Sequence, residues 1–186
     1  MVVKDVICEV LRMAGRYDVS QNISEGRALD DEQEREKRAC LTYLNAVVDE
    51  LARGYFPLEW EEEMSSPDGR FAFSKFAHKP LEIKKVTQKS HPVAWRVVPD
   101  YLVADGANVC VKYTYVPDEL RLNDVWEYPD FAVGERLIEY GMLAEYYLVA
   151  GDAAGYEAWE NKYREEIENL LSHSKVRGRI PPRRWI

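Results

Sequence analysis

Between Tyr55 and Pro117 the apolar residues of this chain change their spacing, and neither a purely helical nor a purely β fold can absorb that change. Upstream they recur every three or four positions: Val3, Val6, Ile7, Val10 and Leu11 fall on one face of a helix that Gly15 stops. Within the stretch they recur every second position. Phe71 and Phe73 alternate with Ala72 and Ser74, Leu81 and Ile83 with Glu82 and Lys84, and Val93, Trp95 and Val97 with Ala94 and Arg96. Val109, Val111, Tyr113 and Tyr115 alternate in the same way with Cys110, Lys112 and Thr114. A period of two is that of a strand with one face inward. The helical period then returns, so the expected fold class is α+β, a helical body interrupted by an antiparallel β insert.

The helical part reads as four helices. Residues 16–30 show no period and are expected to be a connecting loop. The second helix starts at Asp30, a capping residue with Gln33 in the capping-box position and Asp31, Glu32 and Glu34 at the positive end of the dipole. Its apolar stripe is Cys40, Tyr43, Leu44, Val47, Val48 and Leu51, and Gly54 ends it. After a polar loop from Pro117 to Pro129, a third helix from Asp130 to Ala150 is apolar on most sides and is expected to be the buried centre. Gly151-Asp152 is a stop followed by a cap. The fourth helix carries Tyr156, Trp159, Tyr163, Ile167, Leu170 and Leu171 on one face, forming a hairpin with the third and completing a four-helix bundle. These three aromatics at helical spacing read as core.

In the insert, turn signals at Ser66-Pro67-Asp68-Gly69, His91-Pro92, Pro99-Asp100 and Asp105-Gly106 predict one sheet of about four to six short strands. Glu59, Glu61, Glu62 and Glu63 make its first strand a charged edge. The expected division is therefore 1–54 helical, 55–127 β insert, 128–174 helical hairpin and 175–186 an extended arm.

The last twelve residues differ chemically from the rest. They hold Lys175, Arg177, Arg179, Arg183 and Arg184 with no acid, Pro181-Pro182 excludes helix, and the end is Trp185-Ile186. Arg and Trp are the residue types that anchor protein interfaces. The full chain has 25 Lys and Arg against 33 Asp and Glu; without the arm the count is 20 against 33, a net charge of −13. An acidic body with a basic end suits association between neighbours and does not suit a body that wraps nucleic acid. At 186 residues the chain can bury a true core.

Catalytic patterns are sparse. Pro67-Asp68 followed by Glu82-Ile83-Lys84 matches by letter a metal nuclease in which Asp68 and Glu82 hold Mg2+ and Lys84 orients the attacking water. That chemistry wants its Asp on rigid structure, whereas Asp68 precedes Gly69 at a turn. His78, His91 and His173 have no metal-ligand spacing with one another or with Cys8, Cys40 and Cys110. Ser24, Ser65, Ser66 and Ser90 lack a nucleophile-elbow context, and no glycine-rich phosphate loop occurs, so no enzyme activity, cofactor or metal is expected. The three cysteines are expected as reduced thiols. The absence of a signal-like start and of an apolar run near 20 residues predicts a soluble product made in the cytoplasm.

Several segments together resemble head-to-tail connector (adaptor) proteins of tailed bacteriophages. They are Leu51-Ala-Arg-Gly-Tyr-Phe-Pro-Leu58, Ser66-Pro-Asp-Gly-Arg70, Val111-Lys-Tyr-Thr-Tyr-Val-Pro117, Glu139-Tyr-Gly-Met-Leu-Ala-Glu-Tyr-Tyr147 and the final Pro-Arg-Arg-Trp185. The resemblance implies a non-enzymatic virion protein at the capsid vertex, forming a homo-oligomeric ring of about twelve copies. That ring would sit beneath the portal protein and surround a channel through which DNA passes without specific binding. Arg177, Arg179, Arg183, Arg184, Trp185 and Ile186 would then be the portal-docking arm, and a tail or head-closure protein the downstream partner. An acidic wall suits such a channel, since repelled phosphate releases no counterions. The smallest adaptors of this kind are mostly helical; here the β insert is expected to add contacts to neighbours or to the tail. The alternative within the same class is a head-closure or tail-completion protein, which binds an assembled connector rather than the portal.

Overall fold

The computed structural model describes residues 1–129 and 133–175, with side chains through residue 172. Two units make up the chain, one from Met1–Val48 and Glu119–Ile186 and the other from Asp49–Asp118. The fold is mixed α+β, as the change of period predicts.

The first unit is helical. Helix α1 (Val3–Met13) buries the five residues of the expected stripe, with Val3, Val10 and Leu11 fully covered. A second helix, α2 (Tyr17–Glu25), stands where a loop is expected. Its nine residues bury only Val19, Ser20 and Ile23, too few for a periodic signal. Packing on α1 holds it: Ser20 Oγ donates to the Cys8 carbonyl at 2.8 Å, and Cys8 Sγ donates back to the Ser20 carbonyl at 3.6 Å. Tertiary contact rather than propensity decides such a short helix. The described residues thus hold five helices, not four.

Helix α3 (Asp31–Glu50) opens as its sequence dictates. Asp30 Oδ1 accepts the Gln33 N–H at 2.8 Å while Gln33 Oε1 reaches back to the Asp30 N–H at 3.4 Å, a complete capping box. Later in the unit Asn45 anchors the returning chain to α3, its side-chain oxygen accepting the Leu120 N–H at 2.8 Å and its amide donating to the Leu120 carbonyl at 3.1 Å. The N-terminus is held by an antiparallel bridge between Val2 and Val125. Helices α4 (Glu135–Ala150) and α5 (Ala153–Lys175) form the expected hairpin, with Asp152 Oδ1 capping α5 through the Gly155 N–H at 3.0 Å. In α4 the centre is buried at Leu137, Ile138, Gly141, Met142, Leu143 and Ala144. Its last turn is not: Leu148 and Val149 are exposed, so only part of the helix is core.

The second unit begins with the end of α3, which widens into a π-helical turn at Leu51–Tyr55, where the Phe56 N–H reaches the Leu51 carbonyl at 2.7 Å. Seven strands follow among the described residues: β1 (Leu58–Ser65), β2 (Arg70–Ala72), β3 (Pro80–Gln88), β4 (His91–Pro92), β5 (Trp95–Val98), β6 (Tyr101–Ala104) and β7 (Asn108–Tyr115). They form two sheets rather than the single sheet expected, in the orders β1-β7-β3-β4 and β2-β6-β5, with antiparallel pairing throughout. The turn at Ser66–Gly69 therefore separates two sheets instead of closing a hairpin. Gly69 is needed there twice over, because its φ is +68° and a Cβ would lie 2.5 Å from the Ala104 carbonyl oxygen. His91-Pro92, expected as a turn, is strand; the reversal falls on Lys89 and Ser90, at φ 48° and 68°. Two register shifts in β3, at Pro80/Glu82 and Ile83/Lys85, break the expected alternation and leave Leu81 exposed while Ile83 is buried.

Candidate functional site

The charged first strand lies where its sequence places it, at the edge of the larger sheet. In β1 the odd residues Glu59, Glu61 and Glu63 line the outer face. Glu59 pairs with Lys112 Nζ at 2.6 Å and holds that lysine's pKa above its ordinary value. Glu61 accepts a hydrogen bond from Cys110 Sγ at 3.1 Å; burial, then this bond to an anion, push the thiol up to about 11. Glu63 is exposed.

On the inner face lies an aromatic core. Tyr113 is fully buried, its hydroxyl donating to Glu62 Oε1 at 2.6 Å and accepting the His78 N–H at 3.2 Å, while its ring meets Phe76 edge-on. Burial and the bond to Glu62 raise its pKa. His78 stacks on Tyr115 with 4.1 Å between centroids and meets Trp60 edge-on at 5.1 Å. Tyr113→Phe is expected to lower stability by about 1–2 kcal/mol, because it leaves the His78 N–H without its acceptor and Glu62 Oε1 with only the Ala77 N–H at 3.0 Å. The same cut at Tyr115, whose hydroxyl has no partner among the described residues, should cost less; equal losses in urea unfolding would contradict this account.

The nuclease trio is not brought together. Asp68 sits at the turn, tied by the Ser66 hydroxyl at 2.7 Å and the Arg70 N–H at 3.2 Å, bonds that lower its pKa. Glu82 pairs with Lys84 Nζ at 2.5 Å. The register sets these groups far apart: Ser65, next to the turn, faces Asn108, whereas Glu82 faces Thr114. Six residues of β7 separate the two positions, roughly 20 Å at strand rise. Asp68 and Glu82 cannot share a metal ion in this arrangement. Among the described residues no group of three or more His, Cys, Asp or Glu side chains is placed to hold one. His78 lies in a loop and His91 in β4, while His173 falls within α5. Cys8 and Cys40 are buried, Cys110 is half-buried, and all three are free thiols.

The fourth-helix aromatics divide. Tyr163 is core, but Trp159 and Tyr156 are half-buried, and Lys162 Nζ lies 3.9 Å from the Trp159 ring centroid. The expected docking residues Arg177, Arg179, Arg183, Arg184, Trp185 and Ile186 lie outside the described residues. Helix α5 runs to Lys175, the first residue of that basic segment.

A second surface has no counterpart among the residues that alternation or charge singles out. The smaller sheet presents Arg70, Arg96, Val98, Tyr101 and Val103 around a shallow depression on one face. Arg96 and Arg70 flank Val103 from the two neighbouring strands, and neither forms an ion pair among the described residues. On the other face Trp95 is 39% and Val97 53% exposed, although their alternation predicts a half-buried strand. Leu102 and Phe71, in register with Val97 on the same face, are buried, so the exposure is confined to β5.

No helix among the described residues is long and apolar enough to cross a membrane. No family model matches the chain, and no curated protein matches it.

Proposed function

We propose that this chain is a non-enzymatic structural protein of a tailed-bacteriophage virion, a head-to-tail connector subunit that assembles into a ring, docks on the portal and surrounds the DNA channel. The observation that carries this reading is the order of parts. A helical unit yields its chain at Val48 to a β unit, recovers it at Glu119, and carries a 23-residue helix ahead of the basic segment that holds Trp185 and Ile186. In this reading α1, α3, α4 and α5 form the four-helix bundle of the adaptor, and α2 is an addition clasped to α1. The body's net charge of −13 keeps passing DNA from adhering, since no counterions are released against an acidic wall. Arg177, Arg179, Arg183 and Arg184 supply charge for an acidic portal surface, and Trp185 and Ile186 the apolar anchor.

Deleting residues 175–186 is the direct test. The truncated protein is expected to keep its helical circular dichroism and its solubility while losing capture by purified portal rings. Capture at full strength after the deletion would overturn the assignment of the arm. Capture by an assembled connector and not by the portal would move the protein to the head-closure role.

A further inference from the structure

Of the four strands that end the two sheets, only β1 and β5 are longer than three residues. Both turn backbone groups outward. The Ser66 N–H donates to the Ala107 carbonyl at 2.7 Å, one step beyond the Ser65 and Asn108 pair. Bonding positions alternate along an antiparallel ladder, so Glu59, Glu61, Glu63 and Ser65 direct their N–H and C=O groups away from β7. In the same way the Asp105 N–H donates to the Ala94 carbonyl at 3.0 Å, which leaves Trp95 and Val97 pointing away from β6. Val93 still bonds β3, its N–H reaching the Val86 carbonyl at 3.2 Å. Past Ala94 the chain crosses to the smaller sheet, and the side that bonded β3 is left open.

Proteins usually blunt such an edge with lysine, proline or a bulge. From Trp95 to Val98, β5 has none of these. It shows instead an exposed Trp and Val on one face and an arginine without an ion pair among the described residues on the other. β1 is its complement: Glu59, Glu61 and Glu63 on one face, and on the other Trp60, 42% exposed, with Met64.

We propose that β1 of one copy of this chain adds to β5 of the next, in parallel orientation. The orientation follows from the backbone. In an antiparallel pair, residues whose polar groups cross the gap face each other, which would set Trp95 and Val97 against glutamates. In a parallel pair such a residue faces one whose groups point away. Trp95 and Val97 then lie along the Trp60, Glu62 and Met64 face, and Arg96 along the row of glutamates. Glu61 already holds the Cys110 thiol and Glu59 holds Lys112, so the partner of Arg96 is Glu63. The contact joins two different surfaces, so it propagates from copy to copy and closes a ring if the rotation permits. It deepens the connector reading by naming the neighbour contact, but it stands or falls independently of portal docking.

The test uses the full chain. Wild type is expected to self-associate in sedimentation velocity, and Arg96→Glu and Glu63→Arg each to weaken that association by at least about tenfold. An equimolar mixture of the two variants should recover it, because each then offers the edge the other needs. Circular dichroism checks that both variants fold. A wild type that stays monomeric at every concentration would assign these edges to another protein and overturn the proposal. So would variants that assemble like wild type, or a mixture of folded variants that stays apart. Assembly that ignores these charges would leave the ring reading intact and remove only this interface. Loss of portal capture on deleting the arm speaks to the ring reading and leaves the edge pairing untouched.

Discussion

Gly141→Val is expected to lower the unfolding free energy by about 3 kcal/mol, the upper range for forcing methyl groups into a packed core. Gly141 lies in the buried centre of α4, where a Cβ would meet both Val47 methyl groups at 2.9 Å and Tyr163 Cε2 at 3.0 Å. Three helices thus touch at one point that only hydrogen leaves free. Alanine is the finer probe. It should gain about 1 kcal/mol of helix propensity, yet the contacts on two sides oppose it, so Gly141→Ala is expected to be destabilising despite the better helix former. Val47→Ala should then be less harmful in the Gly141→Ala background than alone, since it clears the space the new methyl needs. A double-mutant cycle in urea unfolding reads that coupling. Strict additivity of the two substitutions would mean that α3 and α4 do not meet here.

What was legible in the sequence follows from the range of the forces involved. The α3 capping box is local, four residues long, and Asp30 and Gln33 announce it. The stripe of α1 and the Gly151-Asp152 break are legible for the same reason. Helix α2 is not, because the Ser20 to Cys8 bonds that hold it come from another helix. Alternation told which residues are strand but not which strands have their faces covered. It therefore placed Trp95 and Val97 on a half-buried surface and gave no reason to single out Arg96. The split into two sheets rests on pairing between distant segments, as does the exposure of Leu81 through the irregularities of β3. Lys89 and Ser90 carry no turn signature, yet the strands on either side force them to positive φ. The glutamates of β1 were legible as an edge because a run of acids is intolerable in a central strand, whereas Arg70 and Arg96 become one face only once β5, β6 and β2 are aligned.

Alkaline solution should unfold the helical unit sooner than heat resistance at neutral pH would suggest, and Cys40 is the largest identifiable cause. It is fully buried on α3, and burial, followed by the nearby Glu36 carboxylate, pushes its thiol from 9.0 up to about 12. In the unfolded chain the thiol ionises near its ordinary value; in the folded protein it keeps its proton for about three more pH units. The folded state therefore binds the extra proton, unfolding releases it, and stability falls as pH rises. At about 1.4 kcal/mol per pH unit, Cys40 alone removes about 4 kcal/mol between pH 9 and pH 12. Tyr146 acts in the same direction: burial and its hydrogen bond to Glu36 at 2.9 Å raise its pKa, and Tyr43 is raised by burial. Arg16, 3.0 Å from Glu36, keeps its charge throughout this range and cannot offset the loss. Urea midpoints measured from pH 8 upward should decline steadily past pH 9. Cys40→Ala should cost stability at pH 7 through the lost packing but decline less steeply, so that the two curves converge at high pH. Parallel curves for wild type and Cys40→Ala, or a flat wild-type profile to pH 11, would remove Cys40 as the source of the alkaline lability.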